Sequence, residues 1–120
     1  MKIAIASAGK DMDAAVDNRF GRASAFVVYD TETDSFEAVD NMVNLNAAQG
    51  AGIQTAQNVA STGARVVLAS NYGPKAVQVL KAAGIRMYIT AASTVREAVR
   101  EYTDGTLKET EGANVRSHWQ

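Results

Sequence analysis

The sequence predicts an α/β fold, a mixed five-stranded sheet with flanking helices, on three observations. Short apolar runs of strand composition alternate along the chain with segments of helical period. Glycine, proline and polar clusters punctuate the transitions between them. One pair of strands is joined by a short polar turn while the later strands are separated by helix-length segments, so antiparallel and parallel pairing must coexist, the latter through right-handed crossovers.

Lys2 to Ser7 is a compact apolar run closed by Ser7-Ala8-Gly9-Lys10, as for a buried strand running into a loop. The chain stays polar through Asn18-Arg19. Ala25 to Asp30 is a second strand, and Thr31-Glu32-Thr33-Asp34-Ser35 has the composition of a hairpin turn before a third strand, Phe36 to Val39. From about Gly50 the period becomes helical: Ile53, Ala56, Gln57 and Ala60 fall on one face, and Gly63 suits a left-handed helix end. The fourth strand is Arg65 to Ser70. Gly73-Pro74 places proline at a first helical position, followed by the apolar stripe Ala76, Val79, Leu80 and Ala83 before Gly84. Ile85 to Ile89 is the fifth strand. Thr94-Val95-Arg96-Glu97 matches a capping box, opening a helix striped by Val95, Ala98, Val99 and Tyr102 and ended by Asp104-Gly105.

At 120 residues the chain has the size of one domain. Residues 1–105 are expected to form a single α/β domain and 106–120 a flexible C-terminal tail, since Thr106 to Gln120 is polar and aperiodic. Within that tail the His118-Trp119 pair is the one feature of chemical interest. With 12 basic and 13 acidic residues the net charge is -1, so there is no basic field to draw nucleic acid or an anionic membrane, and any anion site must be local. The N-terminal Met1-Lys2-Ile3-Ala4-Ile5-Ala6 reads as a strand rather than a signal segment, and no apolar run is long enough to span a membrane; a cytoplasmic location is expected. The absence of cysteine excludes disulfides, a thiolate nucleophile and the usual cysteine ligation of zinc or iron-sulfur clusters.

Ligands of open α/β sheets gather beyond the carboxyl ends of parallel strands. Ser7-Ala8-Gly9, Ser70-Asn71-Tyr72-Gly73 and Thr90-Ala91-Ala92-Ser93 should converge there, joined by the loop from Asn44 to Gly52. In that loop Asn46, Gln49, Gly50, Ala51 and Gly52 combine small residues with the unpaired N–H groups of a helix start, which makes an anion seat. The same residues read equally well as a tight turn with close helix packing and Asn46 as N-cap. The loop is neither a P-loop nor a dinucleotide fingerprint: no Gly-x-x-x-x-Gly-Lys occurs, and Thr55 stands where the last small residue of the fingerprint belongs. Asn18-Arg19-Phe20-Gly21-Arg22 offers two guanidinium groups around a small pivot, or alternatively a solvated loop whose Phe20 packs on the core. Asp11, Asp13, Asp17, Asp30, Asp34 and Asp40 fall on loops and turns, and the first strand carries no carboxylate. Binding is therefore favoured over catalysis, with a hydrolase using the loop aspartates as the enzyme alternative and a nucleotide- or phosphate-responsive module as another.

Taken together, Arg19-Phe20-Gly21-Arg22-Ala23, Asp30-Thr31-Glu32-Thr33, Gly50-Ala51-Gly52-Ile53-Gln54-Thr55-Ala56-Gln57, Asn71-Tyr72-Gly73-Pro74-Lys75-Ala76 and Thr94-Val95-Arg96-Glu97-Ala98 resemble the dinitrogenase iron-molybdenum cofactor biosynthesis family over roughly residues 1–110. The resemblance implies a ribonuclease H-like fold without implying nuclease activity. It implies a noncatalytic protein that holds a molybdenum-copper sulfide cluster without covalent attachment, or else carries the iron-molybdenum cofactor, and that partners ATPases of the cell-division and iron-sulfur-carrier type. A cluster already coordinated by sulfide needs no protein thiolate. On this reading Ser7, Asn71 and Gly73 join the loop residues in the pocket, Arg19, Arg22 and Lys75 with backbone N–H groups face the sulfides around the small pivot of Gly21, and Phe20 and Tyr72 limit water. Arg19 stands where many members carry histidine, and the Cys- or His-rich tails of some relatives are missing apart from His118.

Overall fold

Strict alternation along the first strand decides the layering. In β1 (Lys2–Ser7), Ile3 and Ile5 enter one core while Ala4 and Ala6 enter another, all fully buried. The structure, a computed structural model, describes residues 1–42 and 50–113. The remaining elements are β2 (Ala25–Asp30), β3 (Ser35–Asp40), α1 (Ala51–Ser61), β4 (Val66–Ala69), α2 (Pro74–Ala82), β5 (Arg86–Ile89), α3 (Val95–Thr103) and β6 (Lys108–Thr110). The sheet order is β3-β2-β1-β4-β5-β6. β1, β2 and β3 pair antiparallel, β1, β4 and β5 pair parallel, and β6 returns antiparallel to β5.

Among the described residues, α1 and α2 cover one face of the sheet and α3 covers the other. Between α1, α2 and the sheet lie Phe20, Phe26, Val28, Val59, Tyr72 and Leu80, set among small residues such as Ala4, Ala6, Ala56 and Ala76 that let the layers close. Phe20 sits edge-on to Phe26 with centroids 5.3 Å apart and tilted against Tyr72 at 5.6 Å, arrangements that the ring quadrupoles favour. On the other face Val95, Ala98 and Val99 of α3 meet Ile3, Ile5, Val27 and Leu68. The start of α3 is half of the expected capping box: Thr94 Oγ1 accepts from the Glu97 N–H at 3.2 Å, and its hydroxyl meets the Glu97 carboxylate at 3.3 Å.

The sheet has six strands, not five. β6 lies in the stretch expected to be a flexible tail, because a three-residue Lys-Glu-Thr segment has no apolar signature; what holds it is pairing with β5 and a forked ion pair from Arg86 to Glu109 at 2.7 and 3.1 Å. His118 and Trp119 lie outside the described residues. The inward face of α1 is also rotated from the expected one. Ala51, Gly52, Thr55, Ala56 and Val59 are buried, Ile53 and Ala60 are half-buried, and Gln57 is exposed. Packing against both α2 and the sheet selects small side chains over the simple apolar stripe. Gly63, in the left-handed region at φ 85, ends that helix as expected.

Candidate functional site

The long connection from β1 to β2 is anchored on three sides. It folds back on its own strand through Ala8 N–H to the Ala15 carbonyl and Asp17 N–H to the Ala6 carbonyl, both 2.9 Å. It joins the loop after β5 through Val16 N–H to Ser93 and Val95 N–H to Ala14, both 3.0 Å. Arg19 then bridges in parallel to Asn71, with the Phe20 N–H donating to the Asn71 carbonyl at 3.0 Å. The expected convergence of the loops after β1, β4 and β5 is therefore real.

The Arg19–Arg22 string sits between the β4–α2 junction and α1. Its far side is held by Thr55 Oγ1, which donates to the Gly21 carbonyl at 3.3 Å from within α1. Arg19 is exposed, Arg22 and Asn71 are half-buried and Lys75 is exposed, and among the described residues none of the three cations has an ion-pair partner. The parallel arrangement of β3, β1, β4 and β5 directs the starts of α1 and α2 to this same end of the sheet.

Those two helix starts differ from that of α3. Gly50, the N-cap of α1, adopts φ 79, a left-handed conformation that only glycine takes without strain, and contributes no side-chain cap. The first intrahelical bond of α1 is from Gln54 N–H to the Gly50 carbonyl, so the N–H groups of Ala51, Gly52 and Ile53 have no intrahelical acceptor. Gly73 likewise gives α2 no side-chain cap, and neither helix has an acidic residue in its first turn. By contrast Thr94 and Glu97 satisfy the start of α3 from within. Among the described residues, the starts of α1 and α2 beside the arginine loop thus carry neither a side-chain cap nor a first-turn carboxylate, whereas the start of α3 carries both.

Several expected site residues support the site rather than line it. Phe20 and Tyr72 are fully buried core residues, so they cannot screen a surface ligand from water; they form the floor beneath the loops. The Tyr72 hydroxyl lies 2.7 Å from the Tyr88 carbonyl and 3.1 Å from that of Val67, and burial pushes its phenol far above the ordinary range. Ser7 is buried and donates to the Gly9 carbonyl at 2.8 Å, shaping its own turn. Gly21, Ala51, Gly52 and Gly73 are buried, so any contact from them is through backbone. Asn46 and Gln49 lie outside the described residues.

The loop aspartates hold backbone. Asp11 accepts from the Asp13 N–H at 2.9 Å, Asp17 from the Arg19 N–H at 3.0 Å, and Asp13 pairs with Arg96 at 3.1 Å. Among the described residues no three His, Cys, Asp or Glu side chains gather as a metal site. Sequence reasoning missed Asn41 and Thr55, both fully buried polar residues tied to the arginine loop. Thr55 carried a signal, a hydroxyl among the small residues of an inward helix face.

The described residues thus form a mixed α/β fold with a cysteine-free, donor-rich site at its strand ends. A family described as dinitrogenase iron-molybdenum cofactor matches residues 1–105, and the chain belongs to that family. It is similar to the orange protein of Desulfovibrio gigas, solved in its apo form, with 43% identity, a TM-score of 0.92 and coverage of 95% of this chain and 96% of that one. It is similar also to a NifB-like protein of Thermotoga, with 38% identity, a TM-score of 0.84 and coverage of 95% and 97%. An uncharacterised protein of Methanocaldococcus jannaschii is 28% identical over 95 residues, spanning 77% of this chain and 80% of its own length.

Proposed function

We propose that this protein binds or carries an anionic metal-sulfur cluster without covalent attachment, in its sharpest form a molybdenum-copper sulfide cluster, and that it is a carrier rather than an enzyme. The observation that carries this reading is the seating of the arginine loop, bonded to Asn71 on one side and to α1 on the other. That seat groups Arg19 and Arg22 with Lys75 and with two helix starts lacking side-chain caps. The donor set fits such a guest: sulfide ligands at the cluster surface accept N–H hydrogen bonds and their charge is balanced by guanidinium and ammonium groups, while the metals keep their own sulfide coordination.

The resemblance read from the sequence strings supports molybdenum and copper, and the family description supports the iron-molybdenum cofactor as a second form. The same proposal includes a ribonuclease H-like assignment, supported by an antiparallel β1-β2-β3 unit continued by parallel β4 and β5. It also includes a cytoplasmic place of action and a partner ATPase of the cell-division or iron-sulfur-carrier type, both supported by the resemblance. No helix among the described residues is long and apolar enough to cross a membrane.

The test is the visible spectrum and metal content of the protein as isolated. Charge-transfer bands with molybdenum and copper are expected, and copurified nucleotide in their place refutes the reading. Replacing Arg19 and Arg22 by Ala removes charge-assisted contacts of about 1.5–3 kcal/mol each, so cluster retention should fall at least roughly tenfold. Unchanged retention removes both residues from the site.

A further inference from the structure

We infer that Asn41 and Thr55 are positioning residues for the cluster site, a buried relay that clamps the backbone of Arg22 on both sides. The role rests on the cluster-binding reading above. Asn41 follows the last residue of β3 and is fully buried. Its Nδ2 donates to the Ala23 carbonyl at 2.9 Å and to Thr55 Oγ1 at 3.1 Å, and its Oδ1 accepts from Asn58 Nδ2 at 3.3 Å. The Asn41 N–H also donates to the Ser24 carbonyl at 2.9 Å. Thr55, equally buried, donates its own hydroxyl hydrogen bond to the Gly21 carbonyl at 3.3 Å.

Gly21 and Ala23 are the two chain neighbours of Arg22. One of them is held by a side chain of α1 and the other by a side chain at the end of β3, and the two side chains bond to each other. The relay therefore sets the distance between the arginine loop and the uncapped start of α1, the two sources of positive potential that the cluster must meet together. An apolar pair at these positions would fill the same space without fixing that distance, whereas a satisfied buried polar network is compatible with one arrangement only. Binding groups held by such a network lose less freedom when the ligand arrives.

The test compares Thr55→Val, which keeps the shape and removes the hydroxyl, with Thr55→Ser, which keeps the hydroxyl. The control is Val99→Ala, in the core on the opposite face of the sheet. Each protein is loaded with tetrathiomolybdate and a cuprous salt, and cluster loss is followed by its visible absorbance at a temperature where circular dichroism shows all four chains folded. Thr55→Val is expected to lose the cluster about tenfold faster than the unmodified protein, with Thr55→Ser and Val99→Ala within about twofold of it. If Thr55→Val does not fold, Asn58→Ala, which removes the bonds from Asn58 Nδ2 to Asn41 Oδ1 and to the Asp40 carbonyl, takes its place with the same expectation. Wild-type retention by the Thr55→Val protein overturns the role, as does equal loss from Val99→Ala, which would reduce it to general stability. If the unmodified protein takes up no cluster, the functional reading falls and this role with it, an outcome visible before any variant is made.

Discussion

Replacing Tyr72 by Phe should lower stability at neutral pH and yet flatten its loss in alkali. The Tyr72 ring is fully buried between Phe20 and the sheet, and its hydroxyl meets the carbonyls of Tyr88 on β5 and Val67 on β4. Removing one oxygen leaves a gap too small to admit a water, so the bonding of the phenol to those carbonyls is lost without replacement by solvent. The expected loss is about 1–3 kcal/mol. For a chain of 120 residues each kcal/mol moves Tm by roughly 4 °C, so Tm should fall by roughly 4–12 °C. The alkaline effect has the opposite sense. Burial raises the phenol of Tyr72, so the folded protein keeps a proton that the unfolded chain releases above about pH 10. Stability linked to this group is complete below that pH and declines as pH rises toward the raised folded value, by about 1.4 kcal/mol per unit. Phe has no proton to keep. Tyr29 and Tyr102 are also raised, the first chiefly by its hydrogen bond to Asp34 and the second by burial, but they are common to both proteins and cancel in the comparison. Urea unfolding at pH 7 and at several points above pH 10 measures both effects. Equal stability at pH 7, or parallel alkaline slopes, would refute the assignment of a buried, hydrogen-bonded phenol.

Thr94→Ala removes the only side-chain cap among the described helices and should cost about 1 kcal/mol, seen as a Tm lower by roughly 4 °C, while cluster retention stays unchanged. Gly50→Ala meets no steric obstacle among the described residues, none of which lies within 4 Å of the added Cβ, but it must hold φ 79. A loss of about 1–2 kcal/mol is expected by thermal unfolding, with Gly50→Asn less affected because asparagine tolerates the left-handed region. Arg86 holds the Glu109 carboxyl below the usual carboxylate range, so its contribution is present above the unfolded value near pH 4.3 and is lost as pH falls through the lower folded value. Amide protection of β6 should therefore drop in acid before the rest of the sheet opens. Glu109→Gln should abolish that step, and a β6 that stays protected in acid contradicts it.

Where a segment satisfies its own bonding locally, its place in the fold could be read from residue order. β1 and β2 have the limits expected of them, because a compact apolar run ending in Ser7-Ala8-Gly9, and one ending before Thr31-Glu32-Thr33-Asp34, leave little choice of length. The starts of α2 and α3 were legible for the same reason, in Pro74 and in Thr94 with Glu97. β6 was not, since Lys108, Glu109 and Thr110 become a strand only through the free edge of β5 and the Arg86–Glu109 pair. The rotated face of α1 has a related cause. Its period was visible, but which side faces inward depends on α2 and the arginine loop, and the hydroxyl of Thr55 turns inward to meet Gly21 where Gln57 turns out.

The candidate site divides along the same line. That Pro74 opens α2 and Thr94 caps α3 is visible in the residue types, and so is the charge of Arg19, Arg22 and Lys75, whereas at the start of α1 the residue types offer Asn46 as N-cap and Gly50 holds that place. What joins these features is backbone: a parallel bridge from Arg19 to Asn71 and carbonyls at Gly21 and Ala23, groups that every residue type possesses and that no motif advertises. The residues that hold these groups are correspondingly inconspicuous, an asparagine at a strand end and a threonine within a helix. On the proposed reading, a chain without cysteine seats a preassembled sulfide cluster by arranging donors and charge, and such an arrangement is specified by the residues that position it as much as by the cations themselves. Asn41 and Thr55 would then act on the site through the Gly21 and Ala23 carbonyls they hold, and variation at them should alter retention of the cluster more than variation at Asp11 or Asp13.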